Sequence, residues 1–334
     1  MRGHAMMPFR PSRRALLAAA PGLLAMPLGG GAAAAESGFD DFLGQMERDA
    51  YARGIRPATI AIAFRYIQYL PQVIELDHRQ PEHKITFAEY FAKVVTAKRL
   101  DEARRHLVDN WALLDQVRRI YDVQPRFIVA LWGVESDFGQ IMGNYPVPAA
   151  LATLAYDGRR GALFRAELMS ALKILDDGDV GPAGMLGSWA GAMGQCQFMP
   201  STFLRYAVDF DREGRRNIWT DRADALASIA NYLSHLGWRG NEDWGRPVTV
   251  PSNLDPRYAN LGYRLTSAQW ARLGLRPAAG VFTRRDPSSS LVLPDGVGGA
   301  GFLVYDNFRA IKRWNDSTYF AAAVGTIADS IARS

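Results

Sequence analysis

The segment that most narrows the possible folds is Phe127-Ile-Val-Ala-Leu-Trp-Gly-Val-Glu-Ser-Asp-Phe-Gly139. Pro125 just upstream suits the first turn of a helix, and the run that follows is strongly apolar. A helix of this kind belongs inside a core, with other elements wrapped around it. Glu135 is out of place there. It shares a helix face with Ile128, Leu131, Trp132 and Phe138. A charged carboxyl on that face is costly, so desolvation is expected to raise its pKa and leave it able to donate a proton near neutral pH. The plainer reading is a helix-end Glu paired with an arginine or capping a backbone amide.

The rest of the chain supplies the wrapping. Residues 38–120 read as helical, with Phe39, Phe42, Leu43 and Met46 at helical spacing and a helix start at Arg56-Pro57-Ala58-Thr59-Ile60. Amphipathic stretches follow at Phe87 to Leu107 and Trp111 to Tyr121, then the apolar helix from Pro125 through Phe138. Leu163 to Leu175, Ser201 to Val208 and Ala223 to Leu236 are further helices. From Pro247 to Pro294, Pro, Gly and Ser are frequent, and Pro247 to Val250 and Ser290 to Leu293 suggest strands. Ser317 to Ala332 is a last amphipathic helix. The expectation is a mainly α (α+β) fold: a helical region at 36–120, a core at 121–246, and a small β region with a closing helix at 247–334.

The N-terminal segment reads as an export signal. Residues 1–14 hold Arg2, Arg10, Arg13 and Arg14 and no acid; an apolar run from Ala15 to Leu28 ends in Ala33-Ala34-Ala35. The run is too short to span a bilayer, no Cys follows it to carry a lipid, and Ser12-Arg13-Arg14-Ala15-Leu16-Leu17 looks like a twin-arginine signal. Its removal at residue 35 takes four Arg and no acid, leaving 35 basic residues against 34 acidic ones. Most of the basic character therefore leaves with it, and little points to nucleic acid. A periplasmic, soluble protein without a transmembrane segment is expected. Cys196 is the only cysteine, which excludes an intramolecular disulfide. No H-E-x-x-H occurs and His78 and His83 stand five apart, which disfavours a zinc hydrolase.

A second patch, Gly187-Ser-Trp-Ala-Gly-Ala-Met-Gly-Gln-Cys-Gln-Phe-Met-Pro-Ser-Thr202, has glycines that bring backbone close to something. Ser188, Gln195 and Gln197 offer neutral hydrogen-bonding groups, and Trp189 and Phe198 offer flat faces. That mixture suits sugars, with their many hydroxyls and apolar ring faces. A glycosidic oxygen is a poor leaving group that needs a proton donor such as Glu135. The alternative is a tight loop between core helices. A third patch, Asp209-Phe-Asp-Arg-Glu-Gly-Arg-Arg-Asn-Ile-Trp-Thr220, has oxygen ligands at positions 1, 3, 5 and 9 and Gly at 6, as in an EF-hand loop. Thr220 stands where a bidentate Glu is expected, and Arg212, Arg215 and Arg216 weaken the field for a cation.

Together these segments resemble the lytic murein transglycosylase B family (glycoside hydrolase family 103, lysozyme-like fold). The resemblance runs through Gly133 to Gly139, Tyr156-Asp-Gly-Arg-Arg160, Gly187 to Ser201, Asn217-Ile-Trp219 with Asp224 to Tyr232, and Arg313-Trp-Asn-Asp-Ser317, in order. It implies that Glu135 is the single catalytic acid and base, cleaving the bond between N-acetylmuramic acid and N-acetylglucosamine and leaving a 1,6-anhydromuramyl end. It implies substrate contacts at Arg159, Arg160, Ser188, Gln197, Phe198, Tyr232 and Asn315. It also implies a structural calcium loop, with Asp209, Asp211, Glu213 and Arg215 as its residues and a further carboxylate from Asp221 or Asp224, and no cofactor for the chemistry. Two departures stand out. The family commonly has Pro where Cys196 stands, and Tyr where Trp314 stands, so a hydroxyl contact is expected to be missing. A muramidase on the same fold and a non-catalytic peptidoglycan-binding protein remain the competing readings. Peptidoglycan strands are the expected partner, with cell-wall synthesis proteins as further candidates.

Overall fold

The computed structural model describes residues 31–79 and 85–332. The first 30 residues, most of the export signal read above, lie outside them, as does His83. Six helices form the first part: α1 (Gly31–Ala52), α2 (Pro57–Ala63), α3 (Pro71–His78), α4 (Phe87–Val94), α5 (Ala97–Asp109) and α6 (Trp111–Tyr121). The stretch expected as one helix from Phe87 to Leu107 is two. Thr96 is extended, and its side chain accepts the Arg99 amide at 3.2 Å, so it caps a new helix instead of continuing the old one. Phe39, Phe42 and Met46 of α1 are buried, as their spacing predicts.

The centre is α7 (Pro125–Ser136). It packs against α5, α6, α11 (Arg222–His235) and α14 (Thr318–Ile331). From Phe127 to Ser136, every residue is buried except Glu135. The pair α8 (Val147–Asp157) and α9 (Gly161–Asp177) packs beside it, and α9 carries α10 (Pro200–Tyr206). The start of α10 is fixed by buried Glu167 of α9, whose carboxylate accepts the Ser201 amide at 2.8 Å and hydroxyl at 2.7 Å. A two-stranded ribbon, β1 (Tyr145–Pro146) with β2 (Leu186–Gly187), ties the loop after α7 to the glycine-rich loop.

The β region is a four-stranded antiparallel sheet in the order β4-β3-β6-β5, with β3 at Gly245–Thr249, β4 at Arg276–Pro277, β5 at Ser290–Val292 and β6 at Gly301–Val304. With α12 (Ser267–Arg272) it encloses a small core of its own: Val248, Leu254, Trp270, Leu275, Leu291 and Leu303. The chain returns through α13 (Asp306–Trp314), and α14 then lies in the main core, which runs from Phe39 to Ile331.

Candidate active site

Glu135 reaches the edge of the core because α7 stops one residue later. Asp137, Phe138 and Gly139 are all left-handed, with φ of 50°, 58° and 84°. Two non-glycine residues in that region carry strain, and each is held. Asp137 pairs with Arg99 at 3.3 Å. The Phe138 ring lies edge-on to Trp132 at 5.5 Å and 4.5 Å from the His106 ring. It also fills the space over Gly133, where a Cβ would come within 2.6 Å of it. The helix expected to run through Phe138 therefore ends earlier, in a turn that periodicity cannot reveal.

The glycine-rich loop is fastened to α7 by Gln195 and Ser136. The Trp132 indole donates to Gln195 Oε1 at 3.0 Å, and the Ser136 hydroxyl donates to the Gln195 carbonyl at 2.8 Å. A Cβ on Gly194 would meet the Ile218 carbonyl oxygen at 2.6 Å, so this turn is open only to glycine. Gln197, also left-handed at φ 49°, gives both side-chain hydrogens to backbone: Met142 at 3.0 Å and Gly194 at 2.9 Å. Ser188 Oγ accepts the Ala192 amide at 3.0 Å. Both residues thus brace the loop.

The wall beside the carboxylate is aromatic. Phe198 lies 5.5 Å from Tyr232 and 5.4 Å from Trp314, Tyr232 lies 4.9 Å from Trp314, and Tyr206 stacks on Tyr232 at 4.4 Å. The decisive contact is polar. Trp314 Nε1 donates to Glu135 Oε1 at 2.5 Å. Next to it, Asn315 is 6% exposed, and its Oδ1 is buried without a hydrogen-bond partner in the protein, an acceptor left for something else.

Arg159 and Arg160 sit elsewhere in the network. Arg159 Nε is 2.8 Å from buried Asp77 Oδ2, and Arg160 Nη2 bonds Asp77 Oδ1. Arg159 stays half-exposed and keeps an edge for a ligand. In the EF-hand-like loop, Asp209, Asp211 and Asp224 bring carboxylate oxygens within 4.8 Å of one another. Glu213 turns aside to Arg215 at 3.2 Å, and Arg216 points away to Asp179 at 2.6 Å. Burial pushes the Asp224 carboxyl up to about 6; the Phe210 and Asn217 amides oppose this, and the charges of Asp221 and Asp211 add to it. Three crowded hard oxygens fit a divalent cation such as calcium.

Residues 38–329 match the transglycosylase SLT domain family. The chain belongs to that family. It is 35% identical over 225 residues to membrane-bound lytic murein transglycosylase B of Escherichia coli (strain K12), covering 66% of this chain and 60% of that protein. SltB3 from Pseudomonas aeruginosa, in complex with NAG-anhNAM-pentapeptide, superposes with a TM-score of 0.85 at 41% identity, over 88% of this chain and 79% of that one. The Escherichia coli lytic transglycosylase SLT35 in complex with calcium gives a TM-score of 0.74 at 28% identity, over 89% and 93%.

Within this transglycosylase SLT fold, the two sequence departures have different outcomes. Cys196 is fully buried, with Sγ 3.2 Å from the Ala225 carbonyl oxygen, so it is packing. Trp314 lacks the hydroxyl, as read from the sequence, and its indole N–H instead donates to Glu135. Sequence reasoning passed over Tyr206; it named Gln195 and Trp314 but gave neither a role in holding the carboxylate or its loop.

Proposed function

We propose that this protein is a lytic transglycosylase of peptidoglycan, with Glu135 as its one catalytic carboxyl. The observation that carries the reading is the placement of Glu135: the single unburied residue between Phe127 and Ser136 on a buried helix, beside an aromatic wall. Protonated, it gives its proton to the oxygen between N-acetylmuramic acid and N-acetylglucosamine. The C1–O bond breaks toward that oxygen. The C6 hydroxyl of the same muramyl ring attacks C1 and returns its proton to the Glu135 carboxylate, so no water is consumed.

A hydrolase with two carboxylates needs a second acid opposite the first. Asp137, the acid two residues along the chain, is taken by Arg99. The complex of SltB3 with NAG-anhNAM-pentapeptide supports the anhydro product. Phe198 and Tyr232, both buried, would back the sugar site rather than touch it, Asn315 would stand beside Trp314 in the same wall, and the outer edge of Arg159, with Arg160, would meet carboxylates of the glycan or its peptides. Ser188 and Gln197 would shape the floor. Asp209, Asp211 and Asp224 would hold structural calcium, remote from the chemistry. No helix among the described residues is long and apolar enough to cross a membrane, and the periplasm is the compartment where this substrate is met.

The test is digestion of purified peptidoglycan by the full chain and by Glu135→Gln, with released muropeptides identified by mass. Products one water lighter than reducing muropeptides, absent with the variant, are expected. Reducing ends would reassign the protein to the muramidases. Pull-down with peptidoglycan but no release by either form would leave it a binding protein.

A further inference from the structure

We propose that Trp314 is a positioning residue that biases which oxygen of Glu135 carries the transferable proton. The inference rests on the transglycosylase reading above. An indole nitrogen carries one hydrogen and has no lone pair to accept with. That N–H lies 2.5 Å from Glu135 Oε1. A proton on Oε1 would leave the indole only a hydroxyl oxygen, a poorer acceptor than a carbonyl oxygen, so the bond favours Oε1 as the oxygen without the proton. The proton that leaves and returns sits on Oε2. In the forward step the Oε2–H bond breaks, a hydrogen bonds to the glycosidic oxygen, and that oxygen keeps the C1–O electron pair. In the return, the C6 oxygen bonds to C1 and its proton goes back to Oε2.

The indole is held so that this preference is enforced. Trp314 is 3% exposed, with Phe198 and Tyr232 against it at 5.4 Å and 4.9 Å. Its helix is tied down at its other end by Asp306, which bonds Arg264 and lies 2.9 Å from Arg239. A phenol at this position has a hydroxyl that donates or accepts, and would let the proton rest on either oxygen. An indole here thus favours one site for the proton where a phenol would favour neither.

Two measurements decide it. In nitrogen-labelled full-length protein, the Trp314 indole resonance is assigned by its absence in Trp314→Phe; it should move upfield in Glu135→Ala. A resonance that does not respond overturns the contact, whatever the activity. In steady-state turnover, Trp314→Phe should lose about 30-fold in kcat, with KM within about threefold, because a donor acting on the reacting carboxyl is missing. Trp314→Tyr restores a donor and should recover most of that loss. Unchanged kcat in Trp314→Phe, a loss carried in KM, or a Tyr variant no better than Phe overturns the positioning role. A wild-type chain that releases no anhydro ends overturns the transglycosylase reading and the catalytic half of this inference with it. Failure of the inference alone shows as a normal wild type beside an unaffected Trp314→Phe.

Discussion

Asp137 meets Arg99 at 3.3 Å, and the pair pins the left-handed turn that ends α7 two residues beyond Glu135. Both side chains are largely buried, so the contact is shielded more than a surface ion pair. Asp137→Ala should lower stability by about 1–2 kcal/mol, combining the lost pair with a left-handed residue deprived of its partner. Asp137→Gly loses the same pair and relieves the backbone, so it should cost less. Urea unfolding of the two variants checks this, and a glycine worse than the alanine would show that the turn is unstrained.

Gly325, in α14, lies against the indole of Trp244. A Cβ there would come within 2.2 Å of Trp244 Cδ2. The indole cannot retreat freely, because its Nε1 bonds Asp329 Oδ2 at 3.0 Å and its ring packs 5.6 Å from Phe302. Gly325→Ala should therefore destabilise by about 1–3 kcal/mol despite the better helix propensity of alanine. Thermal unfolding reads the sign; a more stable variant would mean that the indole has room to move.

Asp306 gives the pH dependence. Burial opposes its ionisation, but the Arg264 hydrogen bond and the charges of Arg264, Arg239 and Arg309 outweigh it and hold the carboxyl below its usual range. A depressed carboxyl stabilises the fold fully above the unfolded value of about 3.9, and loses that contribution as pH falls through the folded value. Asp306→Asn should thus lower Tm at pH 7, and the gap to wild type should be smaller at an acid pH below about 3.9. An equal gap at both pH values would rule out the charge as its source.

Calcium should bind at Asp209, Asp211 and Asp224. Added to chelator-treated protein, it should raise Tm, with about 2.7 kcal/mol of stabilisation at a hundredfold excess over Kd. Asp209→Asn with Asp211→Asn should abolish the response. Turnover at a temperature where both forms stay folded should be unchanged, which separates a structural ion from a catalytic one.

The parts of this architecture that were legible share a property: their side chains repeat with a helical period between clear stops. Trp111 to Tyr121 is such a case, bounded by Asn110 and by left-handed Asp122. α8 was not recognised as a helix, because Val147 to Ala155 is buried on every side and shows no polar face to set a period. α13 was not recognised either; it is nine residues long and sits between a strand and the closing helix. At the site, Glu135 was found because a carboxyl in an apolar run is conspicuous. Trp314 stood out only as a departure from a family pattern, because its role depends on a contact 179 positions away. Glu213 illustrates the converse: the spacing matched a ligand pattern, but a neighbouring guanidinium, Arg215, claims the side chain.

The distance in sequence between Glu135 and Trp314 also sets an order of events. A nascent chain that has emerged only as far as the β region already contains the acid, the glycine-rich loop and Tyr232, but lacks the indole that orients the acid. The complete site arrives only with α13, behind the whole small sheet and its separate core. A product truncated in the β region would lack that indole and also α14, a wall of the main core, whereas a circular permutant opened in the β region, with the native termini joined, would bring Trp314 out of the ribosome ahead of the helix that it serves.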